Sequence, residues 1–255
     1  MKTVILAGGL GTRLEEETDR LPKPMVEIGG RPILWHIMKH FAHHDLREFY
    51  VALGYKGNLV KQYFLNYHPL NGDFAINLAD GQVTPQGPST EDWYVHLIDT
   101  GQSTNTGGRV LRLREKLGRE TFILTYGDGV SDVNLRCVVE FHRRHGKIAT
   151  LTAVRSPARF GEVCLDADDH VLSFDEKPAT GDGWVNGGYM VLEPAFFDYL
   201  VDDTTGLEVL AHVARDGQLV AFRHPGYWQC MDTIRDKRVL EAEWASGSPR
   251  WKVWT

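Results

Sequence analysis

The chain has 255 residues, 42 % of them hydrophobic and 24 % charged, with a formal net charge of −6 and a pI near 6.0. That length fits one large domain, or a core with a small appendage, and buries enough surface to fold without staples. The acidic balance excludes a binder of long nucleic acids, and three widely spaced cysteines (Cys137, Cys164, Cys230) exclude a disulfide framework or a Cys-x-x-C zinc site.

The run Thr3 to Ala7 (TVILA) predicts a strand buried on both faces that breaks into a glycine loop. It is too short for the core of a signal peptide, and no later apolar stretch is long enough to span a bilayer. A reducing, cytoplasmic setting without membrane partners is expected. Pro32 opens a helix whose apolar face carries Ile33, Ile37 and Phe41. Strands are predicted at Glu48 to Leu53, Trp93 to Ile98, Thr121 to Tyr126 and Ile148 to Val154. Helices are predicted at Gly57 to Tyr67, Gly108 to Leu117 and Val133 to His145, and Asp80 to Pro88 is predicted as a loop. This alternation implies an α/β fold: a mainly parallel, twisted sheet flanked by helices, Rossmann-like in outline.

After Pro157 the rhythm shortens, with strand-like pieces near Val163, Val171 and Tyr189. The expected organisation is a single domain over 1–255. Residues 1–156 form a first half, 157–232 a smaller part packed on it, and 233–255 a last helix with its tail. Trp244, Trp251 and Trp254 there must fold back or meet another subunit, since exposed tryptophans are costly.

Leu6-Ala7-Gly8-Gly9-Leu10-Gly11-Thr12-Arg13-Leu14 is the most informative stretch. Glycines after a strand let the main chain approach a ligand, with N–H groups turned to phosphate oxygens and Arg13 adding a charged fork. Leu14 stands where the dinucleotide fingerprint needs its third glycine, and Thr12-Arg13 stand where a P-loop needs Lys-Ser/Thr. In Leu21-Pro22-Lys23-Pro24, two prolines restrain Lys23, which then loses less entropy on binding phosphate. A plain turn and an exposed lysine are the competing readings.

Asp128, in Tyr126-Gly127-Asp128-Gly129, lies past an apolar strand, where open α/β sheets bind ligands. Asp232 precedes the last helix, so a helix cap competes with a ligand role. His36, His40, His43 and His44 share one helix and His142 and His145 another, but neither helix carries the Glu of a His-Glu-x-x-His zinc motif.

Together the Gly-Gly-x-Gly-Thr-Arg-Leu loop and the following Lys-Pro resemble the N-terminal signature of the sugar-phosphate nucleotidyltransferases. The likeness continues through Pro22 to Ile37, residues 125–129, Gly146 to Thr152, Glu176-Lys177-Pro178, Asn186-Gly187-Gly188 and Trp228 to Lys237. Asp99-Thr100-Gly101 and Thr104 to Arg109 look like the cytidylyl-transferring branch. The resemblance implies transfer of a nucleotidyl group from CTP to a sugar 1-phosphate, α-D-glucose 1-phosphate first among acceptors, with release of pyrophosphate. Another nucleotide or acceptor, or a non-catalytic nucleotide-sugar binding module, are the alternatives. A glycosyltransferase fits less well, because no second Asp follows Asp128 in an Asp-x-Asp.

The resemblance also implies roles, with residues 1–156 as the nucleotide-binding half and 157–232 as the small sugar-binding part. Arg13, Lys23, Asp128 and Asp232 are expected to be catalytic, with Mg²⁺ held by Asp128 and Asp232, and a homo-oligomer is expected. Nucleotide contacts are expected at Leu6, Gly8, Gly9, Gly11, Thr12, Arg13, Lys23, Thr106, Gly108, Arg109 and Asp128. Sugar-phosphate contacts are expected at Tyr126, Glu176, Lys177, Asn186 and Gly187. The segment Thr204 to Leu210 departs from the cytidylyl pattern, which puts the sugar acceptor in question.

Overall fold

A computed structural model describes residues 1–11, 14, 18–86, 91–156, 162–165, 171–175 and 183–254. Seven strands form the main sheet: β1 (Thr3–Ala7), β2 (Glu48–Leu53), β3 (Tyr94–Asp99), β4 (Phe122–Tyr126), β5 (Ala149–Arg155), β6 (Trp184–Leu192) and β7 (Leu219–His224). Their order is β7-β5-β6-β4-β1-β2-β3. β6 runs antiparallel to both neighbours, and every other pairing is parallel.

The continuous apolar runs follow from burial on two sides. Ile5, Val51 and Ile123 enter one core, while their neighbours Val4, Ala52 and Leu124 enter the other. The two-residue period of a strand delivers alternate side chains to opposite faces, so both sets are apolar. Helix α1 (Ile33–His43) covers the first core with Ile33, Leu34, Ile37, Met38 and Phe41. Helix α2 (Thr106–Leu111) supplies Val110 to the second core. Helix α3 (Leu135–His145) begins one residue after Asn134, whose side chain accepts from Cys137 N and caps it. Helix α4 (Ile234–Ala245) closes the order.

Three expectations change. The segment 80–88 is not wholly loop: Val83–Gln86 pairs with Asp73–Ile76 in a hairpin. The helix expected from Gly108 to Leu117 is broken into α2 and a short turn at Arg114–Leu117. The strand around Tyr189 is no small appendage, because it runs nine residues through the middle of the main sheet. The tail takes the first of its two expected courses and folds back on the chain: Trp251 is 1 % and Trp254 8 % exposed. Trp35 meets Trp254 edge-on, and His36 meets Trp244.

Candidate active site

The chain leaves β1 towards β2 and β3 on one side and returns to β4 on the other. The order of strands reverses between β1 and β4, and the crevice beyond their carboxyl ends is where open α/β sheets bind ligands. Leu6 of β1 pairs with Tyr126 of β4, so the glycine loop and the Tyr126-Gly127-Asp128 turn leave the sheet side by side. A cleft of about 550 Å³ opens there, walled by residues 6–11, 102–106 and 126–128, with Lys23, Arg109 and Asp232.

Asp232 reaches this cleft through a small antiparallel pairing. Gly129–Ser131, just after Asp128, pairs with Trp228–Cys230, just before Asp232. Met231 N then donates to the Asp128 carbonyl at 2.8 Å. The helix cap is Thr233, which accepts from Asp236 N while the Asp236 carboxylate accepts from Thr233 N. That reciprocal box satisfies the first turn of α4, and the cap is Thr233, not Asp232.

Lys23 stands between the two acids. Its Nζ lies 2.6 Å from Asp128 Oδ2 and 2.6 Å from Asp232 Oδ1. Burial works against its charge, but the two carboxylates, Asp128 foremost, outweigh it and hold the ammonium above its ordinary pKa. A three-residue 3-10 turn, Lys23–Met25, seats it, with Pro22 extended before the turn and Pro24 buried within it. The ammonium marks where a cation satisfies both acids at once. Two carboxylates converging in a cleft suit Mg²⁺, which takes its remaining ligands from phosphates and water. Among the described residues, no group of three or more His, Cys, Asp or Glu is placed to hold a metal. His36 and His40 are core residues whose Nε2 atoms donate to the carbonyls of Ile28 and Val133.

Arg109 is buried, with 5 % exposure, and turned under the cleft. Its Nη1 donates to Leu53 O, Thr100 Oγ1 and Gly101 O, and its Nη2 to Gly8 O and Gln102 O. One guanidinium thus ties together the carboxyl ends of β1, β2 and β3. Burial lowers its pKa, with Arg112 adding to the effect. Gly8 is required by this packing: a Cβ there would lie 2.3 Å from the guanidinium carbon. Gly11 turns the loop with φ +67°.

The remaining expected residues divide clearly. Leu6, Gly8, Gly9, Gly11, Lys23, Thr106, Arg109, Tyr126, Asp128 and Asp232 all line the cleft. Asn186 and Gly187 do not line it but adjoin it. The Asn186 side chain bonds the Tyr126 hydroxyl, whose pKa burial and then Asp128 push up to about 12. Gly187 O accepts from Trp228 Nε1 at 2.8 Å. Gly108 faces away from the cleft, against Asp203, whose Cα would lie 2.6 Å from an added Cβ. Thr12, Arg13, Glu176 and Lys177 lie outside the described residues. The cleft also takes in Gln102, Ser103, Thr104 and Asn105. The glycine pair after them signalled that stretch, but nothing local separated its cleft-facing residues from Gly108.

The family model "Nucleotidyl transferase" matches residues 2–234. The chain is 48 % identical, over all of both chains, to a glucose-1-phosphate cytidylyltransferase of Salmonella typhi. It is 40 % identical, again over all of both chains, to a probable glucose-1-phosphate cytidylyltransferase of Bacillus subtilis. The crystal structure of HddC from Yersinia pseudotuberculosis has the same fold, with a TM-score of 0.71 and 23 % identity over 95 % of this chain and 99 % of the other.

Proposed function

The chain belongs to the nucleotidyl transferase family, and from that premise we propose that it transfers the cytidylyl group of CTP to glucose 1-phosphate, giving CDP-glucose and pyrophosphate. One observation carries the chemistry: Asp128, Lys23 and Asp232 converge at the mouth of the glycine loop. The main-chain N–H groups of that loop and Lys23 bind the triphosphate, and the wall at 102–106 receives the nucleoside. Tyr126, Glu176, Lys177, Asn186 and Gly187 are assigned to the acceptor, and Arg13 to the phosphates of the nucleotide. A phosphate oxygen of the acceptor attacks the α-phosphorus in line, so no protein nucleophile is needed. Positioning and charge stabilisation supply the catalysis. Asp128 and Asp232 would hold Mg²⁺, which when bound neutralises the charge of the phosphates. Lys23 balances the charge of the two carboxylates and adds a positive charge for phosphate.

A homo-oligomer is part of this reading. Its support is the hairpin of Asp73–Ile76 and Val83–Gln86, in which every residue is exposed, including Phe74, Ile76 and Val83. A two-stranded ribbon of that kind is marginal without a partner. The free thiols of Cys137 and Cys230 suit a cytoplasmic setting.

The test is a product assay of CTP, UTP, dTTP, ATP and GTP against a panel of sugar 1-phosphates with Mg²⁺, together with pyrophosphate exchange. Highest turnover is expected for CTP with glucose 1-phosphate. Absence of exchange with every nucleotide would refute the reaction class.

A further inference from the structure

The turn at 202–206 lies far along the chain from the nucleotide wall, yet it is built against it. Asp202 Oδ1 accepts from Thr204 N and Thr204 Oγ1, and Thr205 Oγ1 accepts from Val201 N and Asp202 N. The turn is therefore locked by its own side chains before it touches anything else.

Three of its carbonyls then hold the wall. Asp203 O accepts from Asn105 N at 2.8 Å, Thr204 O from Asn105 Nδ2 at 2.6 Å, and Thr205 O from Gly108 N at 3.0 Å. Gly107 and Gly108 let the two backbones meet: a Cβ on Gly107 would lie 2.8 Å from Thr205 O. The Asp203 carboxylate takes Arg112 through Nε at 2.8 Å and through Nη2, and Arg112 Nη1 donates to Thr100 O at 3.2 Å. Arg109 pins Gly101 and Gln102 from beneath. Residues 100–108 are thus gripped between the Arg109 guanidinium and this turn, and it is their 102–106 portion that faces the cleft.

We propose that the 202–206 turn sets the affinity of the cleft for its nucleotide, with Asp203 and Arg112 as positioning residues that touch no substrate. The inference rests on the reading that CTP binds against residues 102–106. It also relocates the departure at Thr204 to Leu210: the first residues of that stretch govern the nucleotide side, not the sugar side. The Asp203–Arg112 pair is about half exposed, with side-chain exposures of 48 % and 44 %. Its loss therefore leaves the fold standing and shifts the wall alone.

The experiment measures steady-state kinetics and calorimetric CTP binding on the full chain. The variants are Asp203→Ala, Arg112→Ala, both together, Asp203→Glu, and Asp203→Ala with Thr205→Ala. The expected result is a rise of about threefold in KM for CTP in either single variant, no further rise in the Asp203/Arg112 double, and partial recovery in Asp203→Glu. About tenfold is expected when Thr205 is also removed. KM for glucose 1-phosphate and kcat should stay within about twofold of the parent. An unchanged KM for CTP across the set overturns the proposal. So does an equal rise in both KM values with a lowered melting midpoint, the mark of a structural role only. Parent protein that fails to bind CTP overturns the reading of the cleft, and the proposal with it.

Discussion

Met231 donates its main-chain N–H to the carbonyl of Asp128 at 2.8 Å, and this bond fixes the spacing of the two carboxylates in the cleft. Behind it, Cys230 pairs with Gly129 and Trp228 with Ser131. The two residues are thus tied through backbone, and the Lys23 ammonium bridges their carboxylates. Their removal should affect turnover far more than folding.

Asp128→Asn and Asp232→Asn are expected to lower kcat by at least about 100-fold while the far-ultraviolet circular dichroism and unfolding midpoint stay close to the parent. Asparagine keeps the shape and loses the charge. Full turnover in either variant would remove that acid from the chemistry.

Lys23→Met makes a sharper test of the same site. With the ammonium gone, the two carboxylates repel each other and attract a divalent ion more strongly. Mn²⁺ binding without nucleotide, followed by electron paramagnetic resonance, should tighten at least about tenfold while turnover falls. Metal affinity that stays level would mean that the lysine and the ion do not share a place.

Much of this was legible along the chain, and the reasons for what was not are local. Thr3–Ala7 and Glu48–Leu53 fall where they were expected because strands buried on two faces leave an unbroken apolar run. The Val83–Gln86 strand was hidden because both of its faces are exposed, so no burial pattern marks it. Gly187 and Gly188 disguised the long β6 strand as a turn; Gly188 has φ +85° and the β5–β6 register shifts beside it. The cap competing with Asp232 was decidable: Thr233 followed three residues later by Asp236 is a capping-box pattern. The grip of residues 202–206 on Asn105 and Gly108 leaves no local trace, because it depends on backbone carbonyls nearly a hundred positions away.

The two leading glycines should separate folding from binding. Gly8→Ala forces a Cβ onto the Arg109 guanidinium, 2.3 Å away, whereas a Cβ on Gly9 meets nothing within 4 Å. Gly8→Ala is expected to lower the denaturant midpoint as well as activity. Gly9→Ala should keep the parent midpoint and raise KM for CTP. Equal midpoints for both variants would contradict the packing of Arg109 under the loop.

Arg109→Lys is expected to behave as a deletion. Lysine cannot reproduce a fork that serves Gly8, Leu53, Thr100, Gly101 and Gln102 together, so buried carbonyls lose their donors. A stability loss of about 2–4 kcal/mol is expected from denaturant unfolding, alongside a raised KM for CTP. A lysine variant with parent stability would show that the brace is dispensable.

His36 ties acid stability to the tryptophan cluster. It is fully buried, its Nε2 donates to Ile28 O, and Trp244 and Trp251 lie against its ring. Burial lowers its pKa from 6.5 to about 4, against backbone hydrogen bonds to Ile28 and Arg31 that favour the proton. Because the folded value lies below the unfolded one, the unfolded chain binds the proton first as pH falls. The stability held above pH 6.5 is therefore lost progressively between 6.5 and about 4, by about 3 kcal/mol for this residue alone. Replacing it with Gln, which keeps a side-chain donor but does not titrate, should flatten the dependence of the unfolding midpoint on pH across that window. Tryptophan fluorescence reads the transition directly, since Trp244, Trp251 and Trp254 surround the site. An unaltered slope in the Gln variant would assign the acid sensitivity to other groups, His40 first, whose pKa burial lowers to about 3.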